Sequence, residues 1–200
     1  MTDRYPGYDV LAKWNSPSFD ETTRAVLSDR LGRVPDRAFL SEDEWELLEA
    51  VVARLIPQPD RAQPVPITPW IDAMLVADRG DGYRRNGVPP LREAWRQGLG
   101  GIAAEAEAVE PRGFAALDVA AQDALLTRMQ RGDVSSENWQ QVPADHFFGH
   151  LLLRTAVGIY YAHPAAWNEI GYGGPASPRG YVRLGFDGRD PWEAGEARAG

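Results

Sequence analysis

Two of the chain's three histidines, His146 and His150, are four residues apart, and on a helix this spacing places both imidazoles on one face. Two imidazoles on one face are what ligation of a metal ion or a haem requires. No Glu stands between them, so the zinc-protease pattern is not present. The pair has two interpretations: the site of a stand-alone helical metal- or haem-binding enzyme, or, as we favour, one surface histidine and one that packs or caps.

His163 and an acidic segment are the other candidates for acid–base chemistry. His163 follows directly on a strongly apolar helix, where it could act as a general base or interact with the helix dipole. No Ser or Cys nucleophile motif lies near it, so we favour the structural interpretation. The acidic residues within 43–49 stand in the first turns of a predicted helix, where the macrodipole stabilises carboxylates.

The sequence contains no fingerprint for a cofactor. The glycine-rich run 171–174 lacks the preceding strand and the following helix that would direct backbone N–H groups at a phosphate. The chain has no Cys, which excludes disulfides, thiol catalysis and thiolate-held iron–sulfur clusters. We therefore expect no catalytic residue, no metal ion and no cofactor in this chain, and predict a non-catalytic helical subunit.

Charge and hydropathy restrict the possible partners. The 200 residues carry a net charge of −8 without a basic stripe, so neither nucleic acid nor an anionic membrane is an expected partner. The longest apolar stretch, 151–162, is too short to cross a bilayer, so we expect no direct membrane insertion. The first residues show no signal-peptide core and no twin-arginine pair. We expect a cytoplasmic chain, or a periplasmic one exported with a partner that carries the signal.

Caps and hydrophobic spacing predict six helices and no strand, which makes the fold all-α, an irregular bundle of about six helices. The predicted starts are Ser18, Ser41, Thr68, Pro89, Asp118 and Pro143. Ser18 with Glu21 and Ser41 with Glu44 have the spacing of capping boxes. The first helix has an apolar face of Val26, Leu27 and Leu31.

Two of these helices have further expected features. In the fourth, the glycines within 98–101 each cost about 1 kcal/mol relative to Ala, so we expect a kink or a break there. The sixth is apolar on nearly all sides, which is typical of the buried centre of a bundle.

A long aperiodic C-terminal tail rich in aromatic residues, Gly and Pro follows the last helix. Between Tyr160 and Trp192 stand seven of the chain's 20 aromatic residues, about twice the share expected from length, whereas disordered tails are poor in such residues. The rings could stack on a sugar, as in a carbohydrate-binding module, could pack on the chain's own core, or could anchor a protein interface. We divide the chain into an extended N-terminal arm (1–17), a helical domain (18–162) and a partner-binding tail (163–200).

Several short motifs resemble the gluconate 2-dehydrogenase subunit 3 family over roughly residues 40–185. They are Arg54-Leu55-Ile56-Pro57, Trp70-Ile71-Asp72, Phe114-x-x-Leu117 to Asp123-x-x-Leu126, Phe147-Phe148, Thr155-x-x-Gly158-x-Tyr160-Tyr161, His163-Pro164, Trp167-Asn168, Ile170-Gly171-Tyr172, Gly174-Pro175 and Arg179-Gly180-Tyr181. The resemblance is most specific in the C-terminal third.

The resemblance implies an accessory subunit of a flavin-dependent oxidoreductase. Such a small subunit carries no flavin and pairs with a large FAD-dependent subunit of the glucose–methanol–choline (GMC) type, which oxidises a sugar, sugar acid or glycoside. Electrons then pass onward, often to a cytochrome c. The small subunit supports folding and stability of the large one. We expect the partner contacts to come from Phe148, Tyr160, Tyr161, His163, Trp167, Asn168, Tyr172, Arg179, Tyr181 and Trp192.

Overall fold

The computed structural model describes residues 4–59, 61–80, 82, 84–135, 137–175 and 193–195. These residues form helices and no strand, so the all-α prediction is confirmed. The α-helices are α1 Glu21–Gly32, α2 Glu42–Leu55, α3 Ile67–Val76, α4 Leu91–Glu107, α5 Val119–Arg131, α6 (144–162) and α7 Pro164–Ile170. Short 3-10 helices lie at Val10–Lys13, Phe114–Ala116 and Glu137–Trp139. No helix in the described ranges is both long enough and apolar enough to cross a membrane.

The chain packs as two compact units. Unit 1 is built from the two ends of the chain, within 1–34 and 160–200, and unit 2 from Pro35–Ile159. Packing units of this kind are not the same as independently folding domains. The division of the chain at residues 17 and 162 therefore stays a prediction.

The helix caps confirm some predicted starts and correct others. α2 begins with the predicted capping box of Ser41 and Glu44, and Asp118 caps α5 as expected. α1 begins at Glu21 and is capped by Asp20, whose carboxylate accepts the Thr23 N–H at 2.7 Å, so the box at Ser18 was wrong. Asp is as good a cap as Ser, and the sequence offers both within three residues.

α3 also begins earlier than its predicted cap. It starts at Ile67 after Pro66, and Thr68 is buried inside the first turn. In α1, Leu27 is buried whereas Val26 and Leu31 are exposed, so the predicted apolar face contributes one core residue.

α4 runs without interruption through its glycines, so the expected break was wrong. Two of these glycines let aromatic rings of unit 2 approach the helix backbone. A Cβ on Gly98 would lie 2.1 Å from Cε2 of Phe147, and one on Gly101 would lie 2.5 Å from Cζ2 of Trp139. The glycines are thus packing positions, and tertiary contact outweighs their low helix propensity.

α6 has one buried face and not the fully apolar surroundings that its sequence suggested. It consists of Ala144–His146, a π-helical segment Phe147–Leu153 and the α-helical segment Arg154–Ala162. Phe148, Leu152 and Ala156 are buried, while Arg154 on the same helix is exposed. The prediction of a helix buried on all sides was therefore wrong.

Candidate partner-binding site

A short helix, α7, forms inside the segment that the sequence indicated to be aperiodic. His163 caps it, because Nδ1 of its ring accepts the Ala165 N–H at 3.2 Å, and Pro164 occupies the first turn, where it needs no N–H partner. Gly171 ends the helix in the left-handed conformation, with φ of +63°. His163 therefore has a structural role at the start of α7.

Trp167 of α7 lies in the hydrophobic core of unit 1. Its side chain is 2% exposed and clusters with Val10, Phe19 and Leu27. The indole Nε1 donates to the backbone carbonyl of Tyr161 at 2.6 Å, so the polar atom of the buried ring is satisfied. The ring of Trp167 is thus packed against the chain's own N-terminal residues.

Polar contacts hold the residues around α7 to the N-terminal segment of the same unit. The Val10 N–H donates to Oδ1 of Asn168 at 2.8 Å, and the buried Lys13 donates its ammonium to the carbonyl of Gly173. These bonds join residues about 160 positions apart in sequence. They hold α7 and the residues just after it to the N-terminal segment.

The structure separates the ten predicted contact residues by exposure. Phe148, Tyr160 and Trp167 are buried, His163 and Asn168 are partly buried, and Tyr161 and Tyr172 are exposed. Phe148 belongs to unit 2 and the other six to unit 1. Arg179, Tyr181 and Trp192 lie outside the described residues. Contact of any of the ten with a partner stays a prediction.

Three exposed apolar side chains stand within α7 or close to it in the sequence, and we call them the α7 surface. They are Tyr161, Ile170 and Tyr172, which are 44%, 47% and 40% exposed. The carbonyl of Tyr161 accepts the Trp167 indole N–H, and the ring of Tyr172 meets the Trp167 ring edge-on at 5.4 Å. Ile170 was not among the predicted contacts, although it stands in the Ile170-Gly171-Tyr172 motif that carries the resemblance.

Other motif residues build the frame of unit 2. The guanidinium of Arg54 binds the carboxylate of Asp123 at 2.7–2.9 Å, which joins two of the motifs. The carboxylate of Asp72 is fully buried and accepts backbone N–H groups from residues 38–40 at 2.7–3.2 Å. No local sequence pattern predicts either contact, because each joins residues more than 30 positions apart.

His146 and His150 are also in unit 2, and their rings are stacked with centroids 4.9 Å apart and planes inclined by 29°. The nitrogen lone pairs lie in the ring planes, so stacked rings do not direct them at one shared ion. Within the described ranges, no three His, Cys, Asp or Glu side chains come together as a possible metal site. Burial, the neighbouring His150 and the charge of Arg85 hold the pKa of His146 below its ordinary value, and Asp145 opposes this shift.

The described residues form an all-α fold, and comparison with protein families assigns the chain to a class. The family model described as gluconate 2-dehydrogenase subunit 3 matches residues 42–174, more than half of the chain. The chain belongs to this family. Its family makes it a subunit of a multi-subunit dehydrogenase complex. Comparisons with curated proteins and with solved structures give no match.

Proposed function

We propose that this chain is the non-catalytic small subunit that binds and stabilises a large FAD-dependent dehydrogenase of the GMC type. The large subunit holds the FAD and oxidises a sugar, an alcohol or a glycoside, and a cytochrome c is one candidate acceptor for its electrons. The complex works in the cytoplasm, or in the periplasm if the large subunit carries an export signal. Membership of the gluconate 2-dehydrogenase subunit 3 family is the observation that carries this proposal.

The α7 surface supports the proposal and supplies its contact residues. Tyrosine is enriched in protein interfaces because its ring offers a large apolar area with a polar tip, and one aromatic side chain can bury about 150–250 Å². Tyr161 and Tyr172 are exposed, and both contact the buried Trp167, Tyr161 through its backbone carbonyl and Tyr172 through its ring. The buried ring fixes the backbone beneath them, and such preorganisation lowers the entropy cost of association.

We propose an indirect role for several of the predicted contacts. Trp167 and Asn168 bind the chain's own residues, which supports a role in shaping the α7 surface. Tyr160 is buried as well, and its hydroxyl donates to the carboxylate of Glu169 at 2.7 Å. We propose that Tyr161, Ile170 and Tyr172 make the direct contacts.

Co-expression with the matching large subunit tests the proposal. With the unchanged chain we expect the large subunit to be soluble and loaded with flavin, and to co-purify with it. We expect Tyr161→Ser combined with Tyr172→Ser to weaken association at least about tenfold, since interface tyrosines are frequent hot spots. Ile170→Ser should weaken it less.

Val109→Ser is the matched control for Ile170→Ser. Val109 is an exposed aliphatic residue that is not part of the α7 surface, so its loss should leave association unchanged. The proposal fails if the large subunit is equally soluble, flavin-loaded and active when this chain is omitted. It also fails in its choice of surface if the double tyrosine variant binds as tightly as the unchanged chain.

A further inference from the structure

Unit 2 contains an open pocket that the proposed function does not use. Its volume is about 980 Å³, at the upper end of the range of about 300–1,000 Å³ that is typical of small-molecule sites. The walls come from α3, from the loop before α4, from the first turn of α4 and from α6.

The rim of this pocket is cationic, although the whole chain is acidic. Six of its lining residues carry guanidinium or imidazole groups: Arg79, Arg84, Arg85, Arg154, His146 and His150. Among the lining residues that the structure describes, Asp78 is the one carboxylate. Within the described part of the chain, no ion pair involves Arg79, Arg84 or Arg85. Like charges gathered around one opening repel each other, and an anion bound there relieves this repulsion.

The floor of the pocket is apolar. Val88 and Ala94 are buried there, and the partly buried Met74 and Leu151 also line it. An inorganic ion would leave this apolar area and most of the volume unused. A ligand with an apolar body and one acidic group would cover both surfaces.

We propose that this pocket binds an amphiphilic organic anion, with its acidic group at the arginine and histidine rim and its apolar body on the floor around Val88 and Ala94. The guanidinium groups of arginine bind the oxygens of carboxylates, sulfonates and phosphates in similar ways. The possible ligands therefore have in common a negatively charged oxygen-containing group on an apolar body. The inference is independent of the proposed subunit function.

The histidine pair adds a pH dependence to the site. Among the described residues, the charged and titratable groups that line the pocket with His146 or act on it are His150, Arg154 and Asp145 from α6, and Asp78, Arg79, Arg84 and Arg85 from the loop before α4. Burial, His150 and Arg85 oppose the protonation of His146, and Asp145 favours it. A bound anion reverses part of this effect, so binding takes up a proton and becomes tighter as the pH falls toward the range where His146 titrates.

Fluorescence of 1-anilinonaphthalene-8-sulfonate, an aromatic anion, tests the proposal on the folded chain. We expect saturable binding to one site and displacement by two further probes, decanoate and phenyl phosphate, which compare an aliphatic carboxylate with an aromatic phosphate. Inorganic phosphate should compete much more weakly. Arg79→Gln and Arg85→Gln should each weaken binding about tenfold, whereas Arg131→Gln, which removes an exposed charge on α5, should not.

His146→Gln tests the pH dependence, since it should flatten the increase in affinity at low pH. Unaltered melting temperatures of the arginine variants, all changed at exposed positions, exclude unfolding as the cause. Equal binding by the two pocket variants and the Arg131 control overturns the proposal. Competition by an acidic peptide and not by decanoate or phenyl phosphate also overturns it, because the site would then be a protein-docking surface.

Discussion

At the scale of single residues, two buried carboxylates fasten loops of unit 2 to its helices. Asp72 of α3 accepts three backbone N–H groups from residues 38–40, just before α2. Glu105 of α4 binds the guanidinium of Arg128 at 2.9 Å and the Ser135 N–H at 2.7 Å. The donor groups that bind each buried carboxylate replace the water molecules that it loses on burial.

We predict that Asp72→Ala lowers the free energy of unfolding by about 3 kcal/mol, because it leaves backbone donors without their acceptor. Urea denaturation followed by circular dichroism measures this loss. Asp133→Ala is the control, since Asp133 is exposed and its change should stay within about 0.5 kcal/mol. Equal stability of the two variants would mean that water replaces the Asp72 contacts.

The lowered pKa of His146 predicts a pH dependence of stability. The unfolded chain takes up a proton on this imidazole at a higher pH than the folded chain. The neutral imidazole of His146 therefore contributes to the free energy of unfolding above its ordinary pKa of 6.5. This contribution is lost as the pH falls through the lower pKa of the folded chain.

We expect the melting temperature of His146→Gln to fall less between pH 7.5 and 5 than that of the unchanged chain. A scanning fluorimetry series over this range measures the difference. His163→Gln controls for loss of an imidazole outside the pocket. A parallel decline in the His146 variant and the unchanged chain would contradict the assigned titration.

At the scale of elements, the sequence predicted the helices whose signals are local. The Ser41–Glu44 box and the Asp118 cap each lie beside a regular apolar stripe, and α2 and α5 formed as expected. The glycines of α4 predicted a break that did not occur, because helix propensity describes only the free energy of a residue within an isolated helix. What decides there is the approach of Phe147 from a helix about 50 positions away, which no local pattern encodes.

Two glycine-to-alanine substitutions distinguish the effect of helix propensity on stability from the effect of side-chain packing. Gly98→Ala should destabilise the chain by about 1–3 kcal/mol, because the new methyl group would overlap the Phe147 ring. Gly158→Ala should stabilise it by about 0.5–1 kcal/mol, because it lies in a helix with nothing within 4 Å of the added Cβ. Chemical denaturation of both variants tests the pair. A gain in stability at Gly98 would show that its contact with Phe147 is not close.

α7 shows why part of the candidate site could not be predicted. Seven residues are too few for a helix to form by propensity alone, and its stability comes from tertiary packing. The contacts that hold it, such as the Val10 N–H on Asn168, join the two ends of the sequence. The aromatic composition identified the region, but it could not distinguish a ring in the chain's own core from a ring on the surface.

At the scale of the whole molecule, the family assignment and the structure give complementary information. The motifs led to the gluconate 2-dehydrogenase subunit 3 family, which the family model confirms over residues 42–174. The structure shows that much of the motif in 163–174 builds unit 1, through Trp167, Asn168 and Gly171. Tyr161, Ile170 and Tyr172 of the same unit are exposed, and they form the proposed interface.

Gentle purification of the tagged chain from its own cells tests the central claim most directly. The account predicts that a second, larger polypeptide elutes with it in fixed proportion and that the complex shows the absorption bands of a bound flavin. If the chain elutes alone, or if it carries a chromophore of its own after separation from every other protein, the account is contradicted.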